Sequence, residues 1–363
     1  MISLLATALF AAAPCAGQWP LWDRYVATFV SQDGRVIDRT AGDRSTSEGQ
    51  AYALFFALVA DDRALFDRLL QWTGQNLAQG DLSRHLPAWH WGKRRDGGWG
   101  VVDANSASDA DLWLAYALLE AGRLWSQPRY AALARGVLAN IAAREIAEVK
   151  GAGTVLLPGP SGFSLDGGYR INPSYEPPQI LRRLAQLPGP WRSLAQSAAQ
   201  RLQAFASGGA VPDWAVVRPG KPLTQDPVHG RTGSYDAIRA YLWLGMSPDH
   251  DPRLEGIASG LFRALETSGR LPERIDARTL HGKGDAPPGF YAALLPIAPP
   301  AARAELERHL AAAQRNGLYG DPPAYYDQNL ALFARGFLES RFRFREDGAL
   351  APAWETRCLG RAR

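Results

Sequence analysis

Ala107-Ser108-Asp109-Ala110-Asp111-Leu112-Trp113-Leu114-Ala115-Tyr116-Ala117-Leu118-Leu119-Glu120-Ala121 is the stretch on which the fold turns. It opens on polar and acidic residues and then becomes apolar. Leu112, Leu114, Ala115, Leu118 and Leu119 lie around most of a helical circumference, which predicts a helix buried on nearly all sides. A second stripe, Ala51, Leu54, Phe55 and Leu58 at i, i+3, i+4 and i+7, marks another buried helix face.

Outward from these two, Pro, Gly and Asp punctuate the chain into twelve predicted helices. They lie near 20–32, 45–60, 62–79, 108–126, 127–144, 173–187, 189–207, 233–246, 251–269, 287–298, 300–316 and 325–341. Very short links at 61, Gln127-Pro128, Pro188 and Pro299 alternate with long ones at 33–44, 80–107, 145–172, 208–232, 270–286 and 317–324. Helices joined by so short a link lie antiparallel. Each long connection leads into an even-numbered helix, so those helices start at one end of the molecule and the long loops gather there. Six such pairs in a ring make an all-α (α/α)6 barrel of six helical hairpins, with a functional face at one end. Loops of 25 or more residues inside a compact domain are usually functional. No linker interrupts the series, so residues 18–363 are expected to form a single domain.

Of 363 residues, 46% are apolar and 21% charged, and Gly 36 with Pro 26 is too little for a disordered or collagen-like chain. A net charge of +4 spread over this length lacks the clustered basic stripe of a nucleic-acid binder. Ile2 to Ala13 is an apolar run too short to span a bilayer. With Pro14-Cys15-Ala16-Gly17 after it, residues 1–17 read as a secretory signal peptide, although no Lys or Arg precedes the run. Its removal takes Cys15 away and leaves Cys358 without an internal disulfide partner. The expectation is a soluble, exported protein in a bacterial periplasm, with no membrane contact after processing.

Polar clusters stand at the starts of the even-numbered helices: Thr46-Ser47-Glu48-Gly49-Gln50, Ser106 to Asp111, Asn172-Pro173-Ser174-Tyr175 and Gly233-Ser234-Tyr235-Asp236-Ala237. The loop alternation brings Glu48, Asp109, Tyr175 and Asp236 to one pocket. Taken singly, Asp109 and Asp236 also read as ordinary helix caps, and acidic first turns complement the helix dipole. Taken together, convergent carboxylates suit glycoside hydrolysis, in which one acid protonates the leaving oxygen and another carboxylate activates water or attacks the anomeric carbon. For Glu48 to serve as the acid, burial and neighbouring carboxylates must outweigh the dipole that favours its ionised form. Trp89, Trp91, Trp99, Trp214, Tyr325 and Tyr326 lie in or beside the long loops, where rings stack on sugars or plug the barrel end. His90 and His229 lack partners at metal-ligand spacing, so no metal site is expected.

The 107–121 run, continued to Trp125, resembles the signature of glycoside hydrolase family 8; Leu114 stands where that pattern usually has Ile or Met. Ser47-Glu48-Gly49-Gln50 is similar to the segment bearing the family's general acid, and Tyr235-Asp236-Ala237-Ile238-Arg239 to the one bearing its base. Ser47 to Arg63, Trp89 to Trp125 and Ser234 to Trp243 most resemble the branch that accompanies bacterial cellulose synthase. The resemblance implies an inverting, cofactor-independent endo-β-1,4-glucanase on an (α/α)6 barrel, acting as a monomer on a cellulose chain and associated with the synthase export machinery. Carried residue by residue, it makes Glu48 the acid and Asp236 the base, with Asp109 holding the distorted sugar. Trp91, Tyr175, Tyr235, Arg239 and Tyr326 become substrate contacts. Chitosan or another β-glucan as substrate, and a non-catalytic glucan-binding role in export, stay open at this point.

Overall fold

The computed structural model describes residues 17–206, 208–248 and 251–359. The expected signal segment, Gly17 apart, lies outside the described residues, as does the Cys358 side chain. Thirteen α-helices are found among the described residues: α1 (Pro20–Phe29), α2 (Ser47–Val59), α3 (Arg63–Leu77), α4 (Ser108–Leu124), α5 (Pro128–Arg144), α6 (Pro178–Leu184), α7 (Trp191–Ala206), α8 (Ala237–Gly245), α9 (Ser259–Ser268), α10 (Pro288–Leu294), α11 (Pro300–Ala313), α12 (Tyr325–Leu338) and α13 (Ala353–Leu359). Even-numbered helices form the inner ring. α2 packs on α4, α4 on α6, α6 on α8, α8 on α10, α10 on α12, and α12 closes the circle against α2. Outside them, α3 lies on α2, α5 on α4, α7 on α6, α11 on α10 and α1 on α12, with α9 against α11. This is the expected (α/α)6 barrel.

Side-chain distribution explains which helices are inner. Every residue of α2 except Glu48 is buried, as are Ala237 to Trp243 of α8. An outer helix such as α5 buries a single stripe, Tyr130, Ala134, Val137, Leu138 and Ile141. Aromatic rings fill the barrel axis. Trp113 lies 4.8 Å from Phe333 and 5.0 Å from Trp243, and Tyr52 meets Phe333 edge-on at 5.1 Å. Such offset and edge-to-face contacts add about 0.5–1.5 kcal/mol each beyond area burial. They pack the barrel interior beneath the inner-helix N-termini.

The sequence reading differs from the structure in several respects, α13 being one helix it did not predict. The helix expected over 173–187 is split into a 3-10 turn, Pro173–Tyr175, and α6, because Pro177-Pro178 interrupts the backbone ladder. Likewise 251–269 divides into a 3-10 turn at Pro252–Leu254 and α9, with Gly256 at φ +81° between them. Residues 233–236 precede α8 and are not part of it.

Above all, the long connections are not plain loops. β1 (Ser45–Thr46), β2 (His90–Lys93) and β3 (Trp99–Asp103) form one antiparallel sheet. A hairpin of β4 (Ile146–Val149) and β5 (Gly153–Leu156) follows. Next comes the sheet β6 (Ser164–Leu165), β7 (Gly168–Ile171), β8 (Ala215–Val217) and β9 (Thr224–Gln225). β10 (Thr232–Gly233), β11 (Arg274–Asp276) and β12 (Gly282–Lys283) make a third sheet, and β13 (Gln314–Arg315) pairs with β14 (Leu318–Tyr319). All fourteen strands lie in connections that lead into inner helices, so they brace one end of the barrel. The remaining pair, β15 (Phe342–Phe344) and β16 (Leu350–Pro352), closes the axis from below, with Phe342 edge-on to Phe55 at 5.2 Å.

Candidate active site

At the braced end, the N-termini of the inner helices surround a cavity of about 500 Å³. Glu48 reaches it from the first turn of α2, Asp109 from α4, Tyr175 from the 3-10 turn before α6, and Tyr235, Asp236 and Arg239 from the start of α8. Tyr325 and Tyr326 come from α12. Trp89, Asp38, Thr40 and Arg44 complete the wall. The three sequence-predicted carboxylates, Arg239 and the three predicted tyrosines are therefore brought together. Trp91 is not: it lies on β2 beside the cavity, stacked on Trp99 at 5.4 Å, with the Arg35 guanidinium 4.3 Å from its ring centre. Trp99 is the more exposed ring of that pair, at 46%.

Neither Glu48 nor Asp236 caps its own helix, whereas Asp109 accepts a first-turn N–H of α4. Thr46 Oγ1 accepts the Gly49 N–H at 3.1 Å and so caps α2, which leaves Glu48 free. Asp236 occupies the N-cap position of α8, yet its side chain makes no capping bond. Asp109 Oδ1 accepts the adjacent Ala110 N–H at 2.8 Å.

Arg239 organises the group. Its Nη2 donates to Asp236 Oδ1 at 2.6 Å and its Nη1 donates to Glu48 Oε2, with Asp109 Oδ2 3.5 Å from the same nitrogen. Ser174 Oγ accepts from Nη2 at 3.1 Å, and the Tyr175 ring lies 5.4 Å below the guanidinium. Only 4% of the Arg239 side chain is exposed, against 16% for Glu48 and 28% for Asp236. One buried cation thus faces three carboxyl groups. Burial pushes Glu48 up to about 8; Arg239 opposes that, and the Asp109 and Asp236 charges reinforce it. Burial also raises Asp109, against the pull of Arg239. The arrangement keeps one carboxyl protonated near neutrality while a more exposed one stands beside it. That is the pairing needed for an acid and a base.

Sequence reasoning missed several groups. Arg44 and Asp38, paired at 3.1 Å, belong to a connection that carried no signal beyond its length. Beneath Asp109, the fully buried Asp111 and Glu145 face one another, and Ser106 Oγ donates to Glu145 Oε1 at 2.6 Å. Burial and the neighbouring carboxyl hold Asp111 well above the usual carboxylate range, and burial raises Glu145 to about 8. Asp111 was visible in the 107–121 run, but its partner is 34 positions away with no pattern to link them.

Known proteins are similar to this chain over most of its length. The model of the family described as glycosyl hydrolases family 8 matches residues 1–339. An endoglucanase of Xanthomonas axonopodis pv. citri (strain 306) is 46% identical over 98% of this chain and 94% of its own. One from Escherichia coli (strain K12) is 41% identical over 98% and 96%, respectively. Among solved structures, the endo-1,4-D-glucanase from Vibrio fischeri ES114 superposes with a TM-score of 0.86 at 40% identity, covering 93% of this chain and 99% of that one.

Proposed function

The chain belongs to glycosyl hydrolase family 8 and is an endoglucanase, and from that premise we propose that it cuts internal β-1,4 bonds of single cellulose chains with inversion at the anomeric carbon. In this reading Glu48 protonates the glycosidic oxygen. Asp236 removes a proton from the water that attacks the opposite face of the sugar. Asp109 and Arg239 hold the distorted ring between them, while Tyr175, Tyr235 and Tyr326 contact it, and Trp91 with Trp99 offers an aromatic platform farther along the chain. The observation that carries the assignment is Glu48 raised to about 8 beside the more exposed Asp236, both bonded to one guanidinium.

The chemistry proceeds in one displacement. Proton transfer from Glu48 neutralises the departing alkoxide as the glycosidic bond breaks. The water oxygen forms the new bond to carbon, and its proton goes to Asp236. Inversion needs the two carboxyl groups about 6.5–9.5 Å apart, leaving space for that water. The apolar Ile2–Ala13 run supports export, and we place the mature enzyme in the periplasm, acting on glucan made by a cellulose synthase. No described helix is long and apolar enough to cross a membrane.

The test is an anomer-resolved NMR time course on cellohexaose. The first-formed reducing ends are expected as the α-anomer, relaxing later to the equilibrium mixture. Initial accumulation of the β-anomer would exclude inversion, and absence of cleavage would exclude the substrate.

A further inference from the structure

Asp236 stands where an aspartate normally spends its carboxylate on capping a helix, and it does not do so. Another carboxylate instead holds the backbone on either side of it. Asp213, in the connection ahead of β8, accepts the Ser234 N–H at 2.7 Å and the Ala237 N–H at 2.8 Å, both on its Oδ1. These two donors bracket Asp236 in the chain. Asp213 is itself anchored, because its N–H donates to the Thr232 carbonyl at 2.8 Å. Nearby, the Val211 N–H donates to the Tyr241 hydroxyl of α8 at 2.7 Å, tying the same connection to the helix it caps. Asp213 is not among the residues that line the cavity.

We propose that Asp213 is a positioning residue for the base: by capping α8 from another segment, it fixes the Asp236 backbone from both sides and leaves the Asp236 carboxylate free for water. This rests on the assignment of Asp236 as the base. The two carboxylates also face each other electrostatically. Burial, then the Asp236 charge, raise Asp213 to about 6, and the two N–H donors and Arg239 oppose the rise. Other charged or titratable groups around Asp236 are Glu48, Asp109, Arg239, Tyr175 and Tyr326, while Tyr241 adjoins Asp213. Glu273 and Arg274 flank Tyr235 from the β11 side. As Asp213 ionises through the region of pH 6, its acceptor strength for the Ser234 and Ala237 N–H groups increases and holds the Asp236 backbone more firmly, so turnover rises through that region.

The experiment compares Asp213→Ala, Asp213→Asn and Asp236→Asn on cellohexaose, each with a melting curve. Misplacing a reacting group by about 1 Å costs on the order of 10²-fold. Asp213→Ala is expected to lose about that in kcat, with KM within threefold of the parent at a temperature where the variant is fully folded. Asp213→Asn keeps an acceptor oxygen and is expected to recover kcat to within about fivefold, while losing the inflection near pH 6 from its pH–rate profile. Parent-like kcat in folded Asp213→Ala overturns the proposal. If that variant does not fold, an unchanged pH profile in Asp213→Asn overturns it. Parent-like turnover in Asp236→Asn would instead remove the base assignment beneath it, a result distinguishable from either.

Discussion

Arg239 and Asp236 are three residues apart at the start of α8, and the Arg239 Nη2 donates to Asp236 Oδ1 at 2.6 Å while the other terminal nitrogen engages Glu48. A planar guanidinium can hold two carboxyl groups at a fixed separation, which a lysine ammonium cannot reproduce. Arg239→Lys is therefore expected to behave as a severe variant, not a conservative one. Steady-state kinetics on carboxymethylcellulose should show kcat/KM reduced by about 10²-fold or more for both Arg239→Lys and Arg239→Ala. Near-parental activity in Arg239→Lys would show that charge alone suffices.

Separate roles for Glu48 and Asp236 predict different responses to the leaving group. Glu48→Gln should lose about 10³-fold on cello-oligosaccharides, within the usual range for a missing general acid. An aryl cellobioside whose phenolate departs without protonation should restore most of that loss in Glu48→Gln. Asp236→Asn should be equally impaired on both substrates, because water still lacks its base. Kinetics on the two substrate types check this, and rescue of Asp236→Asn in place of Glu48→Gln would exchange the roles.

The elevated Glu48 sets the alkaline side of the activity profile. Its acid form persists up to about pH 8, so kcat/KM should hold through neutrality and fall as pH rises through that value. Burial is the main cause, with the Asp109 and Asp236 charges adding to it. Asp109→Asn removes one of those charges, so the alkaline limb in this variant should move to lower pH, whatever happens to its maximal rate. A limb that moved upward would contradict the electrostatic account.

The fold was legible in the sequence because its decisive signals are local. Leu112 to Leu119 covers a whole helical circumference, and short links such as Gln127-Pro128 force neighbouring helices antiparallel. Even Glu48, Asp109 and Asp236 could be gathered at one end, since each opens a helix reached by a long connection. What stayed hidden depends on pairings between distant segments. Two-residue strands such as β1 and β10 carry no periodicity; they exist because Ser45 meets Trp91 and Gly233 meets Ile275 across the barrel end. Trp91 was legible as a loop aromatic, but not its stacking with Trp99 and the Arg35 guanidinium. Whether an aspartate caps a helix also escapes the sequence. Asp236 stands in the cap position without a capping bond, while Asp213, 23 residues earlier, accepts the Ser234 and Ala237 N–H groups on either side of it.

Asp111 and Glu145 should make the protein less stable as pH rises. Both are fully buried carboxyl groups facing each other; burial raises both, the Glu145 carboxyl raises Asp111 further, and Glu145 stands at about 8 although its hydrogen bond with Asp111 opposes the rise. A raised carboxyl binds more protons in the folded than in the unfolded state, so stability falls with pH between the unfolded value, about 4.3 for a glutamate, and the folded one. The stabilising protonated form is complete below that window and lost above it. Glu145→Gln removes the titration while keeping an oxygen for Ser106 and gaining an N–H that can donate to Asp111. At pH 8 this variant should be more stable than the parent by about 1–3 kcal/mol, the cost of an unsatisfied buried polar group. At pH 4 the two should differ little. Urea unfolding at both pH values measures this, and a variant less stable than the parent at pH 8 would mean that the pair's charge, not its shared proton, supports the α4 N-terminus.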